Sequence, residues 1–313
     1  MLFLAALLAA AAPAPAPMVC DATWHDASRN RDIPVRIRLP TGSAKVPVIL
    51  FSHGLGGDIA AGTLWAQAWA THGLAVVHVQ HAGSDAAVYR DAKGPDDTKA
   101  RVRAAATGVQ LQARVADVSF VLDELATRKT EGQCNLARLD LGRAGIAGHS
   151  MGAWTAQAIA GQNFFGAPCL ADRRFVAALA FSPSAPNNAS AAEAFGDITI
   201  PFMSVTGSLD GNPLAAKAEI RAAAEAQRTG PYTAMPPGRK YLLVFDGGDH
   251  MVFSGNSRRA PTPTDLHIQA STKAATTAFW GATLLGSALD AAFLKSPSGL
   301  KAVLTKADRF EAK

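Results

Sequence analysis

Apolar runs rich in β-branched residues alternate with helix-like segments along this 313-residue chain, and this alternation constrains the fold more than any other feature. Several runs are continuous rather than alternating in polarity, which is typical of strands that are covered on both faces in a parallel sheet. The runs predict seven strands, at residues 33–39, 46–52, 74–79, 143–148, 175–181, 198–205 and 240–245.

Segments of helical character lie between these strands. One of them places Leu111, Val115, Val118 and Leu122 at helical spacing, with Arg and Asp residues between them. The predicted helices cover residues 60–71, 109–127, 151–161, 213–228 and 271–294. This order of elements predicts an α/β fold, with a doubly wound, mostly parallel sheet and helices on both faces.

The N-terminal segment has a different composition from the rest of the chain. Residues 1–12 are almost entirely apolar, and an Ala/Pro stretch continues to Pro17. Residues 1–17 therefore predict a signal peptide and export to the periplasm or the medium, with a disordered Ala-rich extension as the alternative. The apolar run is shorter than the roughly 20 residues of a transmembrane helix. No Ser/Gly linker divides residues 18–313, which are predicted to form a single domain.

The net charge of +5 comes from scattered Lys and Arg residues, with no basic run that contains aromatic residues. Nucleic acid is therefore not an expected partner.

Three cysteines fit an exported protein with one disulfide and one unpaired thiol. Cys134 and Cys169 flank the strand at 143–148 and the helix that follows it, so we expect these two to pair and Cys20 to be free or buried.

Two stretches have the composition of loops. Residues 82–106 contain Gly-Ser-Asp and Gly-Pro-Asp-Asp, and residues 183–197 contain Pro, Asn and Ser. Loops that follow the carboxyl ends of strands are where such folds place substrate contacts. Both loops are therefore candidates for the substrate-binding surface.

Residues 148–152 read Gly-His-Ser-Met-Gly, between a predicted strand and a predicted helix. A Ser on such a turn adopts a strained backbone, while the flanking Gly residues permit close approach of strand and helix. The turn also sets the hydroxyl at a helix N-terminus, where negative charge is favoured. Ser150 is therefore the candidate nucleophile, and an ordinary Gly-rich turn is the alternative.

A Ser nucleophile needs a base, which is expected late in the chain in the order Ser, acid, His. His250 lies in a short Gly-rich loop just after the strand at 240–245, which is a suitable mount for an imidazole. His267 is the competing late histidine, in a Pro/Thr-rich segment with no strand before it. His250 is therefore the predicted base.

The acid must hold the imidazole in the correct tautomer and stabilise its charged form. Asp210 follows the strand at 198–205, one strand before the histidine strand, and is the predicted acid. Asp246 and Asp249 compete by their nearness in sequence, but Asp249 is adjacent to His250, and neighbouring side chains diverge. Asp197 precedes its strand and lies at the wrong end of the sheet.

An oxyanion hole needs two backbone N–H donors. Met151, the residue after the nucleophile, is one candidate. Leu55 is the other, in the Gly-rich loop after the strand at 46–52, which lacks the Gly-Lys-Ser/Thr of a phosphate-binding loop.

His78 and His81 flank a strand end, but no third ligand has usable spacing, so a structural role or a place in the pocket lining is expected rather than metal binding.

Several motifs occur in the same order as in bacterial dienelactone hydrolase-like proteins, which are similar to platelet-activating-factor acetylhydrolases and other α/β-hydrolase esterases. They lie at residues 51–57, 80–85, 114–118, 148–152, 240–244 and 248–250. The resemblance implies a Ser-Asp-His esterase that uses neither metal nor organic cofactor, and a small-molecule ester is the expected substrate. It assigns Ser150, Asp210 and His250 as the triad, and Gly54 and Leu55 to the oxyanion loop.

One departure bears on the substrate. Dienelactone hydrolase proper uses a Cys nucleophile, so the Ser in this chain argues against that named substrate. A lipase, a polyester hydrolase or a thioesterase would use the same triad, and a non-catalytic binding protein on this scaffold is a further alternative. The sequence leaves the oligomeric state open.

Overall fold

Nine strands form one mixed sheet in the computed structural model, which describes residues 15–164, 166, 168–186, 190–211, 218–256 and 259–313. The strands of this sheet are β1 Met18–Asp26, β2 Arg31–Leu39, β3 Val46–Ser52, β4 Ala75–Val79, β7 Leu139–His149, β8 Phe175–Phe181, β9 Phe202–Leu209, β10 Lys240–Asp249 and β11 Arg309–Ala312. A separate hairpin pairs β5 Thr130–Glu131 with β6 Cys134–Asn135. Most of the predicted signal peptide, residues 1–14, lies outside the described residues.

The strand order is β1-β2-β4-β3-β7-β8-β9-β10-β11. The six strands from β4 to β10 run parallel, and antiparallel strands flank them at both ends. The carboxyl ends of β3, β7, β9 and β10 therefore meet at one edge of the sheet, where ligands bind in open α/β folds.

Helices cover both faces of the sheet. They are α1 Thr63–Thr71, α2 Ala87–Arg90, α3 Pro95–Ala105, α4 Gly108–Thr127, α5 Met151–Ala160, α6 Ala191–Phe195, α7 Ala218–Ala234, α8 Pro263–Trp280, α9 Ala288–Lys295 and α10 Leu300–Val303. The helices α4 and α5 bury Leu, Val, Ile and Ala against one face, whereas α1 and α8 bury Trp65, Trp69 and Trp280 against the other. This two-sided core confirms the predicted α/β class. None of the helices in the described part of the chain is long and apolar enough to cross a membrane.

All seven predicted strands are present. Strand β9 starts at Phe202 rather than at the predicted residue 198. It begins directly after Pro201, which has no N–H to donate to a hydrogen bond between strands. The sequence prediction missed β1 and β11, because both are edge strands with exposed positions and lack a continuous apolar run.

Two predicted loops and two predicted helices differ from the structure. The helix predicted at 213–228 corresponds to α7, which continues to Ala234, and residues 213–217 of that prediction lie outside the described residues. Residues 82–106 contain α2 and α3, and residues 183–197 contain α6, so neither stretch is wholly loop. The long helix predicted at 271–294 starts earlier, at Pro263, where Thr262 and Asp265 form a capping box. It then breaks after Trp280 into a π-helical turn and α9.

The predicted disulfide between Cys134 and Cys169 is wrong, because Cys134 pairs with Cys20. The hairpin that carries Cys134 packs beside β1, and the two Cα atoms lie 6.2 Å apart. Cys169 is exposed and unpaired, in the segment between α5 and β8. Cys134 and Cys169 flank the same strand and helix in sequence. They do not meet in the structure, because the start of the strand and the end of the helix lie at different places in the fold.

Candidate active site

Ser150 occupies the turn between β7 and α5 with φ 55° and ψ −114°, a conformation that L-residues rarely adopt. Its backbone N–H donates to the carbonyl of Phe181 at 3.0 Å, which ties the turn to the end of β8. The strained turn points the hydroxyl away from the sheet at the start of a helix, as the sequence motif predicts.

Both glycines of the motif are needed for close approach. A Cβ on Gly148 would lie 2.1 Å from the carbonyl oxygen of Gly152, and a Cβ on Gly152 would lie 1.9 Å from that of Ser52. No side chain fits at either position without moving backbone. The glycines therefore bring α5 onto β7 and β3, and set Ser150 beside the loop after β3.

The structure brings the three predicted triad residues together. Nε2 of His250 lies 3.0 Å from Oγ of Ser150, and Nδ1 of His250 lies 2.7 Å from Oδ1 of Asp210. Since an ionised carboxylate can only accept, Nδ1 carries the hydrogen and Nε2 is free to accept from Ser150. The second oxygen of Asp210 accepts from Thr206 Oγ1 at 2.7 Å.

Asp210 is 1% exposed. Burial alone would raise the pKa of Asp210, but the hydrogen bond from His250 and the nearby positive charge of Arg228 hold that pKa below its ordinary value. The carboxylate is therefore ionised at neutral pH, as orientation of an imidazole requires.

The competing acids have other partners. Asp249 accepts from the backbone N–H groups of Met251 and Val252, and Asp246 accepts from Ser208. Asp197 is exposed and precedes its strand.

The competing base also lies elsewhere. His267 pairs with Asp308 at 2.7 Å, and it lies on α8 rather than in the loop that the sequence suggested.

His149 lies under the base. Its Nε2 donates to the carbonyl of His250 at 2.9 Å, and the two rings lie 4.7 Å apart. Burial lowers the pKa of His149 to about 3, so its ring is neutral at physiological pH. It packs against the backbone and the ring of His250.

The loop after β3 approaches the nucleophile closely. A Cβ on Gly54 would lie 3.4 Å from Cβ of Ser150 and 3.1 Å from Nδ1 of His149. Within the described ranges, neither the backbone N–H of Leu55 nor that of Met151 donates to another protein group. Leu55 follows Gly54 and Met151 follows Ser150, so the loop and the turn that carry the two predicted oxyanion donors lie against each other.

Sequence reasoning missed the role of Arg114, which is fully buried on α4 behind this loop. Its guanidinium donates to the carbonyl of His53 and to the hydroxyls of Ser52 (3.1 Å), Ser84 (2.8 Å) and Thr155 (3.1 Å). Burial lowers the pKa of Arg114 to about 9, so it remains charged at neutral pH. It thereby links the end of β3 to the helix that follows the nucleophile.

The hydrogen-bond network continues from Ser52 to His81 and Asp117, which are both fully buried. His81 donates from Nδ1 to Asp117 at 2.9 Å and accepts at Nε2 from Ser52 at 2.9 Å. Asp117 also accepts from Arg31 at 2.7 and 2.8 Å. Burial would raise the pKa of Asp117, but the hydrogen bonds from His81 and Arg31 hold it below its ordinary value.

Two further histidines of this region are neutral. His53 donates from Nδ1 to the carbonyl of Gly54 and accepts at Nε2 from the backbone N–H of His81. Burial, followed by the positive charge of Arg114, places the pKa of His53 well below its ordinary value. Burial also lowers the pKa of His78 to about 3.

The sequence held one usable signal for the Arg114 network. Arg114 and Asp117 lie three residues apart, and Arg114 falls beside Leu111 and Val118 on the buried stripe of the predicted helix. A charged residue on such a stripe is buried and needs partners. The described residues contain no cluster of three or more His, Cys, Asp or Glu side chains arranged to hold a metal ion.

Arg228 is the second residue that the sequence did not reveal. It lies on α7, with its side chain 12% exposed, and its Nε donates to the carbonyl of Asp210 at 3.0 Å. No pattern in the Ala-, Glu- and Lys-rich sequence of that helix distinguishes it from a surface arginine.

The protein comparisons agree with this geometry. A family model described as "Putative esterase" matches residues 27–296. A solved structure, the ferulic acid esterase from Streptomyces cinnamoneus, is similar with a TM-score of 0.62 at 20% sequence identity, over 89% of this chain and 94% of that one. At that identity the likeness shows the α/β-hydrolase fold. No curated protein sequence matches this chain.

Proposed function

This chain belongs to the esterase family whose model matches it and is a carboxylic ester hydrolase, and we propose that Ser150, His250 and Asp210 are its catalytic triad. One observation carries the assignment: hydrogen-bond contacts run unbroken from Asp210 through both ring nitrogens of His250 to the Ser150 hydroxyl. A hydroxyl on a strained turn, beside an imidazole that a buried carboxylate orients, is the arrangement for nucleophilic acyl transfer.

Acylation is the first half of the proposed reaction. Oγ of Ser150 attacks the ester carbonyl carbon while its proton passes to Nε2 of His250. The carbonyl oxygen takes the negative charge and accepts hydrogen bonds from the backbone N–H groups of Leu55 and Met151. The carbon–oxygen bond to the alcohol then breaks, His250 gives its proton to the departing oxygen, and the acyl group remains on Ser150.

Deacylation repeats these steps with water. His250 accepts a proton from water as the water oxygen attacks the acyl carbon, and the same two N–H groups stabilise the charge on the carbonyl oxygen. The bond to Oγ then breaks, and the proton on His250 returns to Ser150. One ester and one water give one acid and one alcohol, and the enzyme is regenerated.

A fluorophosphonate probe tests the nucleophile. The intact protein is expected to react at Ser150, and Ser150→Ala is expected to lose both labelling and ester hydrolysis. Ser254→Ala is a matched control, since its buried hydroxyl donates to the carbonyl of Met251 and has no histidine partner. Equal labelling of the Ser150→Ala variant would overturn the assignment.

For the subtype, we propose a dienelactone hydrolase-like esterase that accepts substrates with apolar groups next to the ester bond. Large apolar side chains, each more than a third exposed, border the triad and the oxyanion loop; they are Tyr89, Trp154, Leu209 and Met251. The ring of Tyr89 covers Gly56, where a Cβ would lie 1.9 Å from Cε2 of the tyrosine. Exposed apolar surface of this kind favours apolar ligands.

An ester panel tests this substrate class. With p-nitrophenyl esters of graded chain length, kcat/KM is expected to rise from acetyl to hexanoyl, and Trp154→Ala and Met251→Ala are expected to flatten that rise. Leu289→Ala, on the exposed face of α9, is the control. A ferulate ester, an acyl thioester and a polyester film distinguish the related activities. A strict preference for acetyl esters would contradict the proposal.

We also propose that the protein is exported. The N-terminal apolar run supports this, and so does the disulfide between Cys20 and Cys134, because such bonds persist in oxidising compartments. Cell fractionation with N-terminal sequencing of the mature chain tests it. A full-length chain that stays in the cytoplasm with both thiols reduced would argue against export.

A further inference from the structure

Arg228 contacts the proposed catalytic acid although it lies on a different element. Its Nε donates to the carbonyl oxygen of Asp210 at 3.0 Å and lies 3.5 Å from Oδ1 of the same residue. Asp210 sits at the end of β9, and Arg228 belongs to α7, which packs against that strand. The contact therefore fixes both the backbone position and the charge environment of the acid.

The same guanidinium also holds the loop after β8. Its Nη1 donates to the carbonyl oxygens of Ser182 (2.9 Å) and Pro183 (3.2 Å) and to the hydroxyl of Ser184. Ser182 has a φ of 55° and directly follows Phe181, the residue that accepts the backbone N–H of Ser150. One side chain thus ties the loop beside the nucleophile to the acid.

The third nitrogen faces the base. Nη2 lies 3.5 Å from Nδ1 of His250. Because the hydrogen on Nδ1 is directed to Asp210, this contact is electrostatic rather than a hydrogen bond. The positive charge of Arg228 beside the carboxylate favours an ionised Asp210.

We propose that Arg228 is a positioning residue of the triad, which holds Asp210 in the orientation that its hydrogen bond to His250 requires. The inference rests on the proposed triad. A purely structural arginine would join α7 to the sheet edge with no effect on turnover by correctly folded molecules. The rate per active site, with kcat measured separately from KM, therefore separates the two roles.

The expected effect follows from the contacts of Arg228. In Arg228→Met, loss of the contacts to Asp210 is expected to lower kcat roughly 10- to 100-fold, with little change in KM.

Arg228→Lys separates charge from geometry. A lysine keeps the positive charge but cannot make the forked contacts to the two carbonyls and the acid. It is therefore expected to retain more of kcat than Arg228→Met, but less than the intact enzyme. The control is Arg309→Met, which leaves the triad unchanged. It removes the ion pair, 3.2 Å long, between Arg309 and Glu225, which lies on the same helix as Arg228.

Rates are normalised to active sites by fluorophosphonate titration, so that a poorly folding variant still reports. The downfield ¹H resonance of the Nδ1–H of His250 reports its hydrogen bond to Asp210, does not depend on turnover, and is expected to shift in Arg228→Met. An unchanged resonance and an unchanged kcat in Arg228→Met would overturn the positioning role. Labelling of Ser150→Ala would instead overturn the triad itself, so the two failures are distinguishable.

Discussion

The two sides of Ser150 are each held by an arginine, but in different environments. On the side of the proposed oxyanion hole (the oxyanion side), Arg114 is fully buried and bonds to three hydroxyls and a carbonyl, while neutral histidines and Asp117 complete the surroundings. On the side of the proposed acid and base (the acid–base side), Arg228 is partly exposed and bonds mainly to backbone carbonyls around Asp210 and His250. The contrast indicates that buried packing fixes the oxyanion side, whereas the proposed acid and base lie in a less buried environment.

The largest expected effect lies on the acid–base side. Asp210→Asn is expected to lower kcat by about 10⁴-fold, because an amide cannot hold the imidazole in the required tautomer. The midpoint of urea unfolding is expected to change little. Asp249→Asn is the matched control, since Asp249 caps the following turn instead of contacting the ring. An equal loss of activity in both variants would contradict the assignment of Asp210 as the acid of the triad.

Arg114→Met tests whether the oxyanion side couples folding to activity. Several buried acceptors would lose their donor, so the free energy of unfolding is expected to fall by about 3–5 kcal/mol. Displacement of the loop is expected to lower kcat by roughly 10²-fold in the molecules that remain folded. Urea titration and labelling rates measure the two effects, with exposed Arg103→Met as control. Full activity at reduced stability would show that Arg114 does not fix the loop.

The disulfide lies far from the chemistry and should separate stability from activity. The double variant Cys20→Ser, Cys134→Ser is expected to lose about 2–5 kcal/mol of unfolding free energy, because the bond closes a long loop. Activity per folded molecule should be retained. Cys169→Ser, which removes only the exposed thiol, should leave both unchanged. If it were Cys169→Ser that destabilised the chain, the observed pairing would be wrong.

The acid sensitivity of the fold is the smallest expected effect when it is expressed as the change in unfolding free energy per residue and per pH unit. Burial lowers the pKa of His78 to about 3 and of His81 to about 4, below the roughly 6.5 of an unfolded histidine. The unfolded chain therefore binds more protons between these values, and stability should fall as pH drops from about 6.5 to 4, by up to about 1.4 kcal/mol per pH unit for each residue.

Urea midpoints across that range measure the slope. His78→Gln is expected to reduce it by one such increment, because the ring of His78 packs against Phe51, its hydrogen bond goes to the carbonyl of Ala61, and it lies outside the proposed catalytic machinery. An unaltered slope in His78→Gln would mean that this ring is already protonated in the fold, or that it is not buried.

Local pattern was sufficient wherever neighbouring residues decide the structure. Both-face burial makes the central strands continuous apolar runs, so all seven were predictable, while the half-exposed edge strands β1 and β11 were not. The helix that starts at Pro263 carried a capping signal in Thr262 and Asp265, but its many Pro and Thr residues suggested a loop. In that case a short capping signal outweighed composition.

By itself, the sequence determined the α/β order of elements, the strained turn at Ser150, and Asp210 and His250 as the partners to be tested, because strand periodicity and the order of residues after parallel strands are local properties. Only the tertiary structure decided that Cys20 pairs with Cys134 and that Arg114 and Arg228 flank the site. Those contacts join residues that the folded sheet and helices bring together, and no spacing along the chain encodes which side chains will meet.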